Sequence, residues 1–506
     1  MATEEILIVG AGPSGMIAAM SLRQIGVKFR IIDASNGPGT QSRAMGVQAR
    51  TLELYRTFGI AEELAEGGIH SIDAQIRTTG FFGNHPFPIA TMPFSKVGHG
   101  ISKFPFVLNY PQDQHERLLA RQLKQAGVKV DRSTELTALY EDADGVHVTL
   151  TGPDGEEKAT YRYVVGADGA HSRVRHAIDV GFSGGTYTQS FYVADLELTD
   201  DQKKGQFVVT VSGGGVCARM PVRTGQTRVV GVLPASVKNV ADLKFSDVQA
   251  SAEPLLSAKV EEVNWFSHYN VHHRVADHFR IGSVFLVGDA CHLHSPLGGQ
   301  GMNTGIGDAY NLAWKLGHVV QGRANEGLLS SYELERRPFA EALVATTDAV
   351  FSNVISNTTI GYLIRVLLWP LTFAIMTKWA FARNKAFRFI SQIHISYAKS
   401  PISDGQVGQV KAGDRLPWVD YGDDDNHASF DGVNWQLLIH GDASIELLEL
   451  KWIELQRFPF TKRARQVGIK ENAVYLVRPD TYTALVMERF DLDTLRRYVK
   501  RLGLSA

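Results

Sequence analysis

The chain has 506 residues, of which 44% are hydrophobic and 21% are charged, with 52 basic and 53 acidic side chains and a net charge of −1. This length predicts about two to four domains and a core large enough to enclose a cofactor. The balanced charge offers no long-range attraction to nucleic acid or to an anionic membrane. The two cysteines, Cys217 and Cys291, exclude a disulfide framework and fit a reducing cytoplasm.

Neither the N-terminus nor the most hydrophobic stretch predicts membrane targeting. The first residues are acidic and lead directly into an apolar run, without the basic region of a secretory signal. The stretch 360–381 contains Arg365, Pro370 and Lys378, so its uncharged run is shorter than the roughly 20 residues of a membrane span. We expect packed helices there, with contact at a membrane surface as the alternative.

The first predicted element is a buried strand, Ile6–Val9, that leads into a glycine-rich turn and then a helix. The first glycine of the turn permits a tight bend, the second lets the backbone approach a pyrophosphate, and the third allows close packing. The helix N-terminus then faces the phosphate charge. The predicted phosphate-binding residues of this turn are Gly10, Gly12, Pro13, Ser14 and Gly15.

The second predicted strand, 29–32, ends in Asp33. This acid lies close to the position at which an acidic residue binds the adenosine ribose of a dinucleotide. Because strand, turn, helix, strand and acid follow in this order, the sequence predicts dinucleotide binding. The alternative is a loop that only needs its glycines.

Two later segments also run from a buried strand into a turn that contains glycine and an acid. The first covers 163–175 and includes Asp168, and the second runs from strand 284–287 through Gly288 and Asp289 into a glycine-rich stretch. The predicted site residues of that stretch are Pro296, Gly298, Gly299, Gly301, Met302 and Asn303. Because ligands of open α/β sheets bind at the carboxyl ends of strands, one ligand can contact all three motifs.

Together, the three motifs resemble those of the single-component FAD-dependent aromatic hydroxylases, the family of para-hydroxybenzoate hydroxylase and phenol hydroxylase. The resemblance covers residues 1–345. It implies that the first glycine turn holds the ADP half of FAD and that Asp33 binds its ribose, although the family usually has glutamate there. It also implies that Asp168 serves both FAD and the nicotinamide, and that Asp289 binds the ribityl chain.

The same resemblance identifies further FAD contacts. Arg43 and Gln112 match the arginine and glutamine that contact FAD in the family, and 298–303 matches the loop beside the flavin pyrimidine ring. There is also a physical reason for that loop: a reduced flavin carries negative charge near N1 and C2=O, and the N-terminus of the helix predicted at 302–320 offers free N–H groups there.

Histidines near the third motif suggest a metal site only at first sight. Cys291, His292 and His294 form a short cluster, but no second group has the spacing of a structural zinc site. We therefore predict no metal. The remaining histidines before strand 284–287 are predicted to lie at the surface or behind the site: His268, His272, His273 and His278.

Between 182 and 279 the pattern changes to short alternating runs, which predict an antiparallel sheet. The resemblance implies that this sheet forms the floor of a substrate pocket, and 71–106 is predicted to add a wall or a loop. The catalytic candidates on or beside the sheet are Arg219, Tyr192, His268 and Tyr269. For Arg219, an ordinary surface cation is the alternative.

The resemblance implies a monooxygenase that hydroxylates a phenolic or polyketide-type aromatic compound. NADPH or NADH reduces FAD, and O2 then forms a flavin C4a-hydroperoxide that attacks the ring. An oxidase, an epoxidation or a Baeyer–Villiger oxygenation on the same scaffold stays open. The paired-tryptophan motif of flavin halogenases is absent from the sequence, and three cofactor motifs argue against a non-catalytic flavin-binding module.

The predicted fold is α/β, with a Rossmann-like FAD-binding domain at 1–181 and 277–345 and an antiparallel substrate domain at 182–276. A helical connection at 346–399 precedes a domain at 400–506, whose run 475–480 resembles the thioredoxin-like domain of phenol-hydroxylase relatives. Since no cysteine follows Cys291, this last domain has no dithiol chemistry and its predicted role is structural or oligomeric. A homodimer stays open.

Overall fold

The computed structural model describes residues 5–39, 44–71, 73–79, 85–199, 206–212, 215–223, 225–234, 237, 242–295, 299–355, 358–443, 445, 450 and 452–505. The strands are β1 (Ile6–Val9), β2 (Phe29–Asp33), β3 (Gly46–Val47), β4 (Ile69–Ser71), β5 (Asp73–Thr78), β6 (Phe87–Pro93), β7 (Val107–Asn109), β8 (Val130–Arg132), β9 (Glu135–Asp142), β10 (Gly145–Gly152), β11 (Gly155–Tyr161), β12 (Tyr163–Gly166), β13 (Phe182–Leu198), β14 (Gln206–Ser212), β15 (Gly215–Arg223), β16 (Gln226–Val232), β17 (Val260–Ala276), β18 (Arg280–Ile281), β19 (Val284–Leu286), β20 (His292–Leu293), β21 (Gln406–Val407), β22 (Val410–Lys411), β23 (Gln436–His440), β24 (Glu454–Phe458), β25 (Val474–Val477) and β26 (Thr483–Met487).

The helices are α1 (Pro13–Ile25), α2 (Ala49–Arg56), α3 (Ala61–Gly67), α4 (Phe94–Gly98), α5 (Gln112–Gln125), α6 (Arg173–Ala177), α7 (Ser246–Leu256), α8 (Gly301–Val320), α9 (Gly327–Ile355), α10 (Thr359–Leu363), α11 (Trp369–Lys378), α12 (Ala380–Ile390), α13 (Lys462–Gln466) and α14 (Leu492–Leu502). A 3-10 turn covers Gly288–Ala290, and a π-helical turn covers Ile364–Leu368 between α10 and α11.

A six-stranded sheet forms the centre of the N-terminal part, in the order β18-β19-β12-β1-β2-β8. Its strands run parallel except for β18. All four residues of β1 are buried, which is why this strand reads as a continuous apolar run. Helix α1 packs against β1 and β2, and α8 packs against α1. The predicted Rossmann-like architecture is confirmed.

The segment between the second and third motifs forms an eight-stranded sheet in the order β20-β17-β13-β16-β15-β14-β5-β6. Neighbours pair antiparallel except β14 and β5, which run parallel. The predicted antiparallel sheet is therefore confirmed, and β5 and β6 extend it. One side of the sheet is covered by α7, an element that the alternating pattern did not predict.

The C-terminal part contains a four-stranded sheet in the order β24-β23-β25-β26. One pair, β23 and β24, is parallel, and the other two pairs are antiparallel. The thioredoxin-like assignment stays a prediction. Among the described residues, no helix has both the length and the apolar character needed to cross a membrane.

Candidate active site

The three motifs meet at one edge of the six-stranded sheet. Gly10 follows β1, Asp33 ends β2, Asp168 follows β12, and Gly288 follows β19. These four strands are neighbours in the order β19-β12-β1-β2, so their carboxyl ends lie side by side. The long sequence distance between the motifs is closed by the parallel crossover connections, as the sequence predicted.

The first turn has the backbone geometry that a close ligand approach requires. Gly10 has φ +103°, and an added Cβ would lie 2.3 Å from the carbonyl oxygen of Ala167. An added Cβ on Gly15 would lie 1.9 Å from the carbonyl oxygen of Gly10. At Gly12, in contrast, no described atom lies within 4 Å of an added Cβ. The turn is thus packed at its first and third glycines and open at the second.

Two of the motif acids organise the edge itself. One oxygen of Asp33 accepts a hydrogen bond from the Ala11 amide at 2.6 Å, and the other accepts from the Ser35 amide at 2.8 Å. Asp168 accepts from the Ser172 hydroxyl at 2.5 Å and from the Val174 amide at 3.1 Å. Burial raises the pKa of Asp168. Asp289, by comparison, is exposed to the cavity described below.

Asn303 fastens the start of α8 to the segment that precedes α2. Its amide nitrogen donates to the carbonyl oxygens of Gly46 at 2.8 Å and Gly299 at 2.9 Å. Its oxygen accepts from the Gln48 amide at 2.9 Å and the Thr51 hydroxyl at 2.7 Å. The side chain is 1% exposed and does not line the cavity, so Asn303 positions the loop.

Gln112, at the start of α5, holds the other side of the same segment. Its side-chain oxygen accepts from the Ala44 amide at 3.1 Å, and its nitrogen donates to Glu116 at 2.9 Å. Glu116 in turn accepts from the Gly39 amide at 2.7 Å. Gln112 thereby connects two stretches of backbone beside the cavity that it lines.

A single cavity of about 660 Å³ runs from the motif edge to the eight-stranded sheet. Its motif side is formed by the first turn, the segment after residue 43 and the start of α8. Its sheet side is mainly apolar. The motif side includes Gly12, Pro13, Ser14, Gln112, Asp289, Gly299, Gly301 and Met302, and the sheet side includes Ile76, Phe191, Phe207, Val209, Val216, Ala218, Met220, Val230, Val232 and Tyr269.

Three buried polar atoms in the wall near α8 have no protein partner within the described residues. They are Nε2 of His294, Oγ of Ser295 and Oε1 of Gln300. Buried polar atoms are normally hydrogen-bonded, so these three fit a polar ligand. The amide-rich edge of a flavin supplies matching groups, and the α8 N-terminus adds donors beside them. The residues present therefore fit FAD.

The hydrogen bond of His294 determines which of its ring nitrogens carries the proton. Nδ1 lies 2.8 Å from the Ser295 carbonyl oxygen and must be the donor, because a carbonyl only accepts. Burial, together with the nearby His292, lowers the pKa of His294 to about 4. The ring is therefore neutral at pH 7, and the lone pair of Nε2 can accept a hydrogen bond from a ligand.

The sheet side carries one buried ion pair, between Arg228 and Asp195. Nε and Nη2 of Arg228 donate to the two carboxylate oxygens, each at 2.8 Å. Arg228 is 2% exposed and lines the cavity together with Val230 and Val232 of the same strand. Arg228 was not among the residues predicted from the sequence; the signal for it was a single cation in phase with the alternating Val230 and Val232.

Of the four catalytic candidates from the sequence, Tyr269 lines the cavity and the other three lie on the opposite side of the sheet. Tyr192 is buried with Phe245 and Phe266 under α7. Arg219 is 2% exposed and donates to the Leu256 carbonyl at the end of α7, at 2.7 Å.

His268 lies opposite Tyr192 in the strand pairing and is exposed. Arg219, Tyr192 and His268 therefore do not line the cavity, because side chains alternate between the faces of a strand. Arg219 is also not a surface cation. Three further predicted residues, Arg43, Pro296 and Gly298, lie outside the described part of the chain.

Cys291, His292 and Asp308 form a buried cluster behind the third motif, with potential ligand atoms within 4.8 Å of one another. Asp308 accepts from Arg336 and lies against His292, each at 2.6 Å. Burial would raise the pKa of Asp308, but the charges of Arg336 and His292 lower it to about 2. Because both carboxylate oxygens are used, the cluster is an ion-pair network that supports the Gly288 turn, whose amide lies 3.2 Å from Asp308.

Comparison with known proteins agrees with this geometry. Residues 3–347 match the model of a family described as FAD binding domain. The chain is 29% identical to 6-methylpretetramide 4-monooxygenase of Streptomyces rimosus, covering 99% of this chain and 94% of the relative. It is 30% identical to pentachlorophenol 4-monooxygenase of Sphingobium chlorophenolicum, covering 81% and 75%.

A solved structure extends the similarity over the whole length. CabE, an aromatic hydroxylase from angucycline biosynthesis, has a TM-score of 0.79 at 25% identity and covers 100% of both chains. The chain therefore belongs to the FAD-binding domain family, and the class expected from the sequence, an FAD-dependent aromatic monooxygenase, is confirmed.

Proposed function

We propose that this enzyme hydroxylates a phenolic substrate with several fused aromatic rings, of the polyketide kind. The observation that carries the proposal is the single cavity, which joins the dinucleotide-binding edge to a broad apolar floor containing one buried cation, Arg228. A relative that matches almost the whole chain acts on 6-methylpretetramide by name, which supports a substrate of this size.

The motif side is proposed to hold FAD. The first turn would face the pyrophosphate, because Gly12 leaves its backbone open and α1 starts at Pro13. Asp33 is proposed to bind the ribose and Asp289 the ribityl chain. Gly299 to Met302, with His294, Ser295 and Gln300, would surround the flavin ring. When bound, FAD accepts hydride from a reduced nicotinamide and delivers one atom of O2 to the substrate.

The chain's own residues then act on the substrate. The apolar side chains of β14, β15 and β16 exclude water and hold the rings by contact. Arg228 would donate a hydrogen bond to a phenolic oxygen. A cation in an apolar wall favours the phenolate form of the substrate, and the phenolate has the more electron-rich ring. Asp195 would keep the guanidinium oriented before the substrate binds. Tyr269 would pack beside the ring.

The direct test is substrate-stimulated oxidation of NADH and NADPH across simple phenols and fused-ring polyketide phenols, with mass detection of the product. We expect stimulation together with the gain of one oxygen atom by a fused-ring compound. Nicotinamide oxidation that yields only hydrogen peroxide with every compound would refute hydroxylation for this panel.

A matched pair of arginine variants tests the role of Arg228. Arg228→Met should raise KM for the phenol at least tenfold and shift the pH at which the substrate is bound as phenolate, because the cation is lost. Arg219→Met removes a buried arginine from the opposite face of the same sheet and should leave KM unchanged. Equal effects of the two substitutions on KM would reject the assignment.

A further inference from the structure

The helices that follow α9 carry an unusual apolar surface. Among the described residues, thirteen large apolar side chains are exposed, and eight of these lie between residues 360 and 381. They are between 42% and 79% exposed. We define them as the apolar helical face: Ile360, Leu363, Leu367, Leu368, Leu371, Ile375, Trp379 and Phe381.

The spacing of these residues places most of them on one stripe. From Ile360 to Trp379 they recur mainly at intervals of three or four residues along α10, the π-helical turn and α11, which follow one another directly. Contiguous exposed apolar surface of this extent on a water-soluble protein marks an interaction site. We therefore expect the apolar helical face to bind a partner.

The opposite side of the same helices is fixed to the cavity. Phe373 and Thr377 of α11 line the cavity. Trp369 packs against Phe191 and Val271 of the eight-stranded sheet. Helix α11 also packs against β6. The inward side is thus determined by packing, which leaves the apolar helical face pointing away from the protein.

The charge of this region identifies the partner. From residue 349 to residue 403 the sequence contains six basic side chains and no acidic one, in a chain whose net charge is −1. Lys378 and Lys385 are exposed beside the apolar helical face. The balanced total charge hides this local excess. A second copy of the chain would bring two like-charged surfaces together, which is unfavourable.

We propose that the apolar helical face binds the surface of an anionic lipid bilayer. Helices with leucine, tryptophan and phenylalanine on one side and flanking lysine and arginine lie in the bilayer interface, where apolar burial and attraction to anionic lipid add together. Because α11 also lines the cavity, this docking places the cavity wall next to the lipid. The proposal does not depend on the identity of the substrate.

Vesicle flotation of the full-length, FAD-loaded protein tests the proposal. The two probes are vesicles of phosphatidylcholine alone and vesicles of phosphatidylcholine with phosphatidylglycerol. We expect at least tenfold tighter binding to the phosphatidylglycerol vesicles and weakening of that binding by added salt. Absence of binding to anionic vesicles, or equal binding to both kinds, would overturn the proposal.

Two double variants with matched controls separate the apolar and ionic contributions. Leu371→Asp with Phe381→Asp should weaken vesicle binding at least tenfold, whereas Tyr140→Asp with Val263→Asp, which introduces the same two charges at exposed apolar residues of β9 and β17, should not. Lys378→Glu with Lys385→Glu should remove the preference for phosphatidylglycerol, whereas Lys124→Glu with Lys158→Glu should keep it. Melting temperature and flavin absorbance confirm that each variant is folded.

Light scattering without lipid tests whether a second copy of the chain binds the apolar helical face instead. A wild-type protein that is dimeric, becomes monomeric with Leu371→Asp and binds neither kind of vesicle would assign the apolar helical face to a second copy. We expect instead that Leu371→Asp leaves the oligomeric state unchanged.

Discussion

Asn303 shows at the scale of one residue how the site is held in shape. Its four hydrogen bonds join the start of α8 to the segment before α2, so both walls of the proposed flavin site depend on one amide. Asn303→Asp keeps the shape but loses both donors and buries a charge. We expect the free energy of unfolding to fall by about 2–4 kcal/mol.

The same substitution should weaken FAD binding by at least tenfold, measured by flavin fluorescence on titration of the apoprotein. Asn434→Asp is the control, since the Asn434 side chain donates to Asp431 and Glu454, which both lie in the C-terminal part. If the Asn303 variant binds FAD as the wild type does, the loop is held by other contacts.

Four buried histidines make the free energy of unfolding depend on pH. Burial lowers the pKa of His294, His115, His318 and His440 to about 4, from the usual 6.5. The unfolded chain binds protons as the pH falls through 6.5, while the folded chain binds them only near 4. Stability is therefore full above pH 6.5 and is lost as the pH falls toward 4, by on the order of 3 kcal/mol for each histidine.

Urea unfolding at pH 7, 6 and 5 measures this loss. His318→Leu should reduce the slope of stability against pH, because its ring is 3% exposed and is replaced by a side chain that does not titrate. A flat stability between pH 7 and 5 would contradict the argument.

Some of the site residues could be predicted from the sequence, and others could not. The glycines and acids of the three motifs follow strands and were predictable, because parallel strands must end at one edge. The face of the sheet on which Arg219 and Tyr192 lie was not predictable from the sequence. Alternation shows that two faces exist, but only the position of α7 decides which face is covered and which faces the cavity. His294, Ser295 and Gln300 were missed because their unpaired atoms are visible only in three dimensions.

At the scale of elements, neighbouring residues of β15 show the difference between the two faces of the eight-stranded sheet. Ala218 lines the cavity, whereas its neighbour Cys217 is buried under α7 with Tyr192. Ala218→Phe should fill part of the substrate space, raise KM at least tenfold and increase hydrogen peroxide formation, while the flavin spectrum is kept.

Cys217→Ala should lower stability by about 1–2 kcal/mol through the small void that it creates, without changing KM. Steady-state kinetics and thermal unfolding of the two variants are compared directly. A change in KM for Cys217→Ala with none for Ala218→Phe would reverse the assignment of the faces. The alternating pattern predicted the sheet itself but not α7, and it gave no sign that β5 would join β14 in parallel.

At the scale of the molecule, a buried ion-pair network joins the C-terminal part to the FAD-binding part. Arg478 donates to Glu335 of α9 at 2.7 Å and 3.0 Å, and it also pairs with Asp480. Arg50 of α2 donates to the Asp480 carbonyl oxygen at 2.6 Å. Nearby, Arg415 pairs with Glu53 of α2. The cavity segment that leads into α2 is therefore supported by residues more than 350 positions away in sequence.

Removing one partner from such a network leaves the others buried and uncompensated. Arg478→Met should lower the free energy of unfolding by about 3–5 kcal/mol, because Glu335 loses its main counter-charge. Burial would raise the pKa of Glu335, and Arg478, with Lys315, holds it well below the usual value. Arg496→Met, at an exposed ion pair of α14, should cost less than about 1 kcal/mol.

Because α2 takes part in both the network and the cavity wall, we also expect FAD release and unfolding of the C-terminal part to occur together. Flavin fluorescence and far-ultraviolet circular dichroism, recorded in one thermal scan, should show the same midpoint in the wild type and in Arg478→Met. A variant that loses its C-terminal structure several degrees below the temperature of flavin release would show that 400–506 is an independent unit. Coincident midpoints would instead mean that the C-terminal part, which has no cysteine of its own, unfolds cooperatively with the flavin site that its ion pairs support.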